Sequence, residues 1–89
     1  MKLQVFSIFD TAAQAYNQPF MFQTTGLAVR TFQEEAHRPD SNICKHPRDF
    51  ALMHLGEFDD QNATFDLFET PRSLGLAQDF KTQPNGDSQ

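Results

Sequence analysis

Phe50-Ala51-Leu52-Met53-His54-Leu55-Gly56-Glu57-Phe58, followed by Asp59-Asp60-Gln61-Asn62-Ala63 and Thr64-Phe65-Asp66-Leu67-Phe68, is the stretch whose reading decides the fold. Its first nine residues alternate with the period of a β-strand. A strict two-residue count puts Phe50, Leu52, His54 and Phe58 on one face and Ala51, Met53 and Leu55 on the other. The polar run 59–63 predicts a hairpin loop of about five residues. Thr64–Phe68 then returns as the partner strand, with Phe65 and Leu67 facing opposite to Phe68. Gly56 inside the strand marks a bulge or a close backbone approach.

Outward from this hairpin, Leu3–Phe9 reads as another strand with apolar residues on both faces: Leu3, Val5 and Phe9 on one, Phe6 and Ile8 on the other. Asp10 to Tyr16 reads as a polar, Ala-rich connection, Asn17-Gln18-Pro19 as a turn, and Phe20-Met21-Phe22 as a short strand. Leu27–His37 carries a helical pattern. Ala28, Phe32 and Ala36 recur every four residues, with Arg30, Gln33, Glu34 and His37 outside. Thr24 and Thr25 are suited to its start and Pro39 to its stop. Asp40–Pro47 reads as a loop. After Pro71, Ser73 is placed as the cap of a short helical turn carrying Leu74, Ala77 and Phe80. Thr82–Gln89 has no apolar residue and reads as a flexible C-terminal tail.

The expected architecture is a single α+β domain over residues 1–81: a small, mainly antiparallel sheet of about four strands with one main helix packed on one face. One helix covers only one side of a sheet. The apolar residues of the other side must therefore meet a second subunit, a ligand or the C-terminal segment.

The chain has 89 residues, ten of them Phe, with one Tyr, no Trp and a net charge of -5. Abundant aromatic carbon argues against disorder. One Cys excludes an internal disulfide. There is no apolar run long enough to cross a membrane, and Met1–Phe6 lacks a signal-peptide cleavage pattern, so a reducing cytoplasm is expected. Residues 49–69 carry six acids and no Lys or Arg, whereas residues 30–48 hold Arg30, Arg38, Lys45 and Arg48 with His37 and His46.

No catalytic constellation, metal site or cofactor motif emerges. Cys44 and His46 have no orienting third group. Cys44, His46 and His54 lack the paired spacing of a zinc site. The acidic hairpin has Phe65 where a calcium loop counted from Asp60 needs Gly. His54, on an apolar face, reads as a hydrogen-bonded structural histidine. The aromatic pattern has more potential: bases stack on exposed Phe rings while neighbouring cations take the phosphates. The candidate nucleic-acid-binding residues are Arg30, Arg38, Lys45, His46, Arg48, Phe50 and Phe58.

Several blocks resemble a known family. Lys2-Leu3-Gln4-Val5-Phe6-Ser7-Ile8-Phe9-Asp10 is similar to the opening of the small non-structural protein of gokushoviruses, the tailless single-stranded-DNA phages of the Microviridae. Lys45-His46-Pro47-Arg48-Asp49-Phe50, Leu52 and Leu55-Gly56-Glu57-Phe58-Asp59 form a second block. Phe65-Asp66-Leu67, Pro71, Ser73-Leu74 and Ala77 form a third. Ala15-Tyr16, Pro19-Phe20 and Ala28-Val29-Arg30 match as well, so the resemblance spans nearly all the chain except the tail. Asn62-Ala63 stands where that family often has Thr-Gly. The resemblance implies a non-enzymatic protein of the host bacterial cytoplasm, labelled DNA-binding and acting between genome replication and packaging. Its implied partners are single-stranded DNA and a phage replication or capsid-assembly protein. The apolar sheet adds the expectation of a homo-oligomer. A charge of -5 opposes generic phosphate binding, so DNA contact would depend on the cations of residues 30–48.

Overall fold

The computed structural model describes residues 1–81; the expected tail at 82–89 lies outside the described residues. Strand β1 (Lys2–Asp10) runs through the middle of an antiparallel sheet. On one side it pairs with β4 (Phe50–Asp59), which pairs in turn with β5 (Thr64–Leu76). On the other side the short strands β2 (Ala15–Tyr16) and β3 (Phe20–Phe22) share one lane. The helices α1 (Thr25–Ala36), α2 (Asn42–Lys45) and α3 (Ala77–Lys81) complete the α+β fold.

All three helices contribute to one core, on one face of the sheet. Phe6 and Leu52 are fully buried against Ala28, Phe32 and Ala36 of α1, Ile43 of α2, and Ala77 and Phe80 of α3. Ile8, Phe20, Phe22 and Phe50 border the same cluster. The helix forms where its four-residue apolar spacing places it. The Thr24 hydroxyl accepts from the Leu27 N–H at 3.2 Å and so satisfies one free amide of the first turn. At the other end the His37 N–H donates to Glu34 O, and Pro39 follows. Phe32 meets Phe80 edge to face, with ring centroids 5.7 Å apart, a favourable aromatic geometry.

The structure corrects the facing of one residue that matters. Val5 pairs with Gly56 while Phe6 pairs with His54, so Leu55 is an extra residue in β4. A single extra residue reverses the alternation beyond it. Phe58, paired with Leu3 and Phe65, therefore lies on the face opposite Phe50, Leu52 and His54. Gly56 has both properties expected of it. Its φ is +154°, and a Cβ there would collide with the Asp66 carbonyl oxygen and come within 2.6 Å of Leu67 Cα.

Three further boundaries differ. β5 continues past Pro71 to Leu76, because residues 68–71 loop out between the pairings of Leu67 with Gly56 and Arg72 with His54. Proline is tolerated in such an irregularity on an edge strand. Ser73 thus pairs with Met53 instead of capping a helix, and the Asp79 carboxylate accepts from the Leu76 N–H next to α3. Ala15–Tyr16 is a two-residue strand where a plain connection was expected, and Asn42–Lys45 makes one helical turn within the expected loop. That turn starts with the Ser41 hydroxyl accepting from Ile43 N–H at 3.1 Å.

Candidate functional site

The seven candidate residues fall into three separate places. Arg30 and Arg38 belong to α1 and its exit. Each has an acidic neighbour: Arg30 Nε lies 3.8 Å from Glu34, and Arg38 3.4 Å from Glu35. These exposed pairs contribute little to stability, but the adjacent carboxylates offset the local positive potential.

Lys45, His46 and Arg48 come together. They line a shallow cavity of about 280 Å³ with Pro47, Asp49 and Gln78. Backbone bonds hold this connection from both sides. Thr11 N–H donates to Asp49 O at 2.8 Å, and Gln78 N–H to Pro47 O at 2.9 Å. The cations therefore project from a braced turn between α2 and β4. Lys81 of α3 joins them, its Nζ 3.4 Å from Cys44 O. Sequence reasoning missed Lys81, because only the packing of α3 against α1 brings residue 81 to Cys44, the neighbour of Lys45.

Phe50 borders the neighbouring hollow with His46 and Asp49 and packs against the core. Phe58 stands eight residues along the strand, roughly 26 Å away at about 3.3 Å per residue, and on the other face. The two rings cannot form one stacking platform. Phe58 instead packs against Phe65 with centroids 4.7 Å apart.

His54 is a structural residue, as its apolar neighbours imply. Its Nε2 is 2.9 Å from Gln4 Oε1. Its ring stacks on Phe6 at 4.8 Å and meets Phe68 edge-on at 4.8 Å. The Arg72 guanidinium lies 3.7 Å above the Phe68 ring. Burial, chiefly, pulls the His54 pKa below its ordinary value. Arg72 lowers it further, while a backbone hydrogen bond at Gly56 and the charge of Glu57 oppose the shift. Cys44, His46 and His54 do not meet, and the described residues contain no cluster of three or more His, Cys, Asp or Glu side chains placed to hold a metal ion.

The other face of the sheet carries no helix among the described residues. Leu3, Val5, Ser7 and Phe9 of β1 lie on it, beside Ala51, Met53, Gly56 and Phe58 of β4. Phe65 and Leu67 extend it across β5, and Met21 and Tyr16 across the opposite lane. Phe65 and Leu67 are 56% and 57% exposed, Tyr16 48% and Met21 40%. The charged residues in paired strand positions, Lys2, Asp10, Glu57, Asp59, Asp66 and Arg72, all fall in register with the helix-bearing face. A solvated sheet face is ordinarily the polar one; here it is uncharged and apolar.

The Phage ORF5 protein family matches residues 3–80, from the second residue of β1 to the penultimate residue of α3. The chain belongs to that family. This phage ORF5 protein matches no curated protein and no solved structure. Family membership makes it a bacteriophage protein. None of its described helices is long and apolar enough to cross a membrane.

Proposed function

We propose that this phage ORF5 protein is a non-enzymatic accessory that contacts single-stranded DNA in the host bacterial cytoplasm during genome replication or packaging. The observation that carries this reading is the convergence of Lys45, His46 and Arg48 on one braced cavity, with Lys81 held against the adjacent Cys44. The resemblance to the gokushovirus non-structural proteins supports it. The contact is electrostatic and not a stacking platform, since Phe50 is part of the core and Phe58 is on the far face. Asp49 lines the same cavity, so the binding is weak per protomer and gains from having several copies on one strand.

Fluorescence anisotropy with a labelled oligonucleotide at low salt tests the reading. Three cations engaged on single-stranded DNA give a log–log salt slope of about -2, and each one removed lowers its magnitude by about 0.7. The Lys45→Ala/Arg48→Ala variant should lose most of the binding, whereas Arg30→Ala should change it little. No anisotropy change at low salt would exclude direct contact.

A second reading rests on a different observation, the uncharged apolar face. In that reading the protein docks on a phage replication or assembly protein without touching DNA. No change in oligonucleotide anisotropy, together with association of a phage replication or assembly protein that survives Lys45→Ala/Arg48→Ala but is lost with Leu67→Asp, would favour it.

A further inference from the structure

We propose that the open face of the sheet is closed by a second copy of the chain, in a two-fold dimer that sets the Phe9–Tyr16 corner of each copy on the Phe58–Phe65 corner of the other. Four observations lead there. First, the paired positions of the face carry no charge, so they hold nothing to recognise a charged partner and nothing to repel their own copy. Second, its size suits a dimer. Four lanes about 4.8 Å apart and a nine-residue central strand at about 3.3 Å per residue outline roughly 19 × 30 Å. That is about 570 Å² before corrugation, of the order of the ~800 Å² each partner gives to a standard interface.

Third, the sheet edges are poorly suited to pairing with another chain. β2 and β3 have two and three residues, and β5 loops out at residues 68–71 with Pro71. Short and interrupted edges discourage strand addition, which leaves the face.

Fourth, the aromatic side chains of the face are placed for self-complementarity. Phe9 and Tyr16 form a pair with centroids 4.8 Å apart, and Phe58 and Phe65 a pair at 4.7 Å. They occupy diagonally opposite corners. Between them Val5, Ser7, Ala51 and Gly56 make a floor of small, buried residues. A two-fold axis lying across the face between the corners exchanges the two pairs, which is the condition of an isologous contact. It also points the acidic hairpins, with Glu57, Asp59, Asp60 and Asp66, in different directions. An axis along the strands would set them side by side and is opposed by repulsion.

Sedimentation velocity over a concentration series gives the first readout. Wild type should sediment as a dimer and Leu67→Asp as a monomer with unchanged circular dichroism. Leu27→Asp, at an exposed position on α1, should remain dimeric. The second readout fixes the axis. With Cys44 replaced by Ser, a mixture of Tyr16→Cys and Phe65→Cys chains should form an intermolecular disulfide under mild oxidation, and neither variant should do so alone. A wild-type monomer at high concentration, a Leu67→Asp dimer, or a Phe65→Cys chain that cross-links to itself as readily as the mixture does would each overturn the proposal.

Discussion

The two faces of this sheet are built from the same three long strands, yet they have opposite fates. On one face Phe6, Leu52 and their neighbours lie beneath three helices. On the other, Phe65 and Leu67 stand more than half exposed. The difference does not come from hydrophobicity, since the strands' paired charged residues all lie on the covered side and the bare side is the uncharged one. It comes from chain length and connectivity. The segment between β3 and β4 supplies α1 and α2, and the chain after β5 supplies α3, all to one side. The described molecule measures 39 × 33 × 21 Å, and its thin dimension accommodates a sheet and a single helical layer. Folding buries one side of the sheet beneath helices; on the other it buries the floor of Val5, Ser7 and Ala51 and leaves Phe65, Leu67, Tyr16 and Met21 exposed for association to cover.

The largest effect that could break this comparison is on stability. Phe6→Ala removes a fully buried ring and should cost about 3–5 kcal/mol in urea unfolding. Leu67→Ala, measured in dilute solution, should cost under about 1 kcal/mol. Equal losses would mean that the second face is already covered within the monomer.

The next effect concerns the bulge that separates the two faces at Phe58. Gly56→Ala must relieve a collision with the β5 backbone and hold a φ of +154°, so a loss of about 1–3 kcal/mol is expected in the same assay. A neutral result would place the register shift elsewhere. A smaller effect tests the covering layer itself. Thr24→Ala leaves the Leu27 N–H without its partner and should cost about 1 kcal/mol in thermal unfolding.

The smallest effect is the pH dependence of the covered face. His54 in the folded chain has a pKa below its ordinary 6.5, so the unfolded chain binds more protons in the window between those values. Stability therefore rises with pH across that window and is lost as pH falls from about 6.5 towards the lowered value. His54→Gln should flatten the profile there, as followed by unfolding at a series of pH values.

Much of this architecture is legible in the residues, for physical reasons that differ by element. Ala28, Phe32 and Ala36 reveal α1 because a buried stripe needs that spacing. Apolar residues on both faces of β1 show that the sheet requires two covers. The fate of Phe58 is not legible from alternation, because the extra residue Leu55 follows from pairing with β1, a contact between distant parts of the chain. Gly56 advertises a bulge without saying which neighbours it reverses. Pro71 looks like a strand end until the loop at 68–71 lets β5 resume. At the cationic end, Lys45, His46 and Arg48 are close in sequence and stay close in space. Lys81 reaches the adjacent Cys44 only through the packing of α3. Arg30 and Arg38 share their charge sign but lie on α1 and at its exit, with their own carboxylates beside them.

The most direct test of the two-face account is small-angle scattering on the wild-type protein across concentration. At high concentration the account predicts twice the single-chain mass, with the short 21 Å dimension close to doubled and the two longer ones little changed. One-chain mass with a radius of gyration near 13.5 Å at every concentration would contradict it.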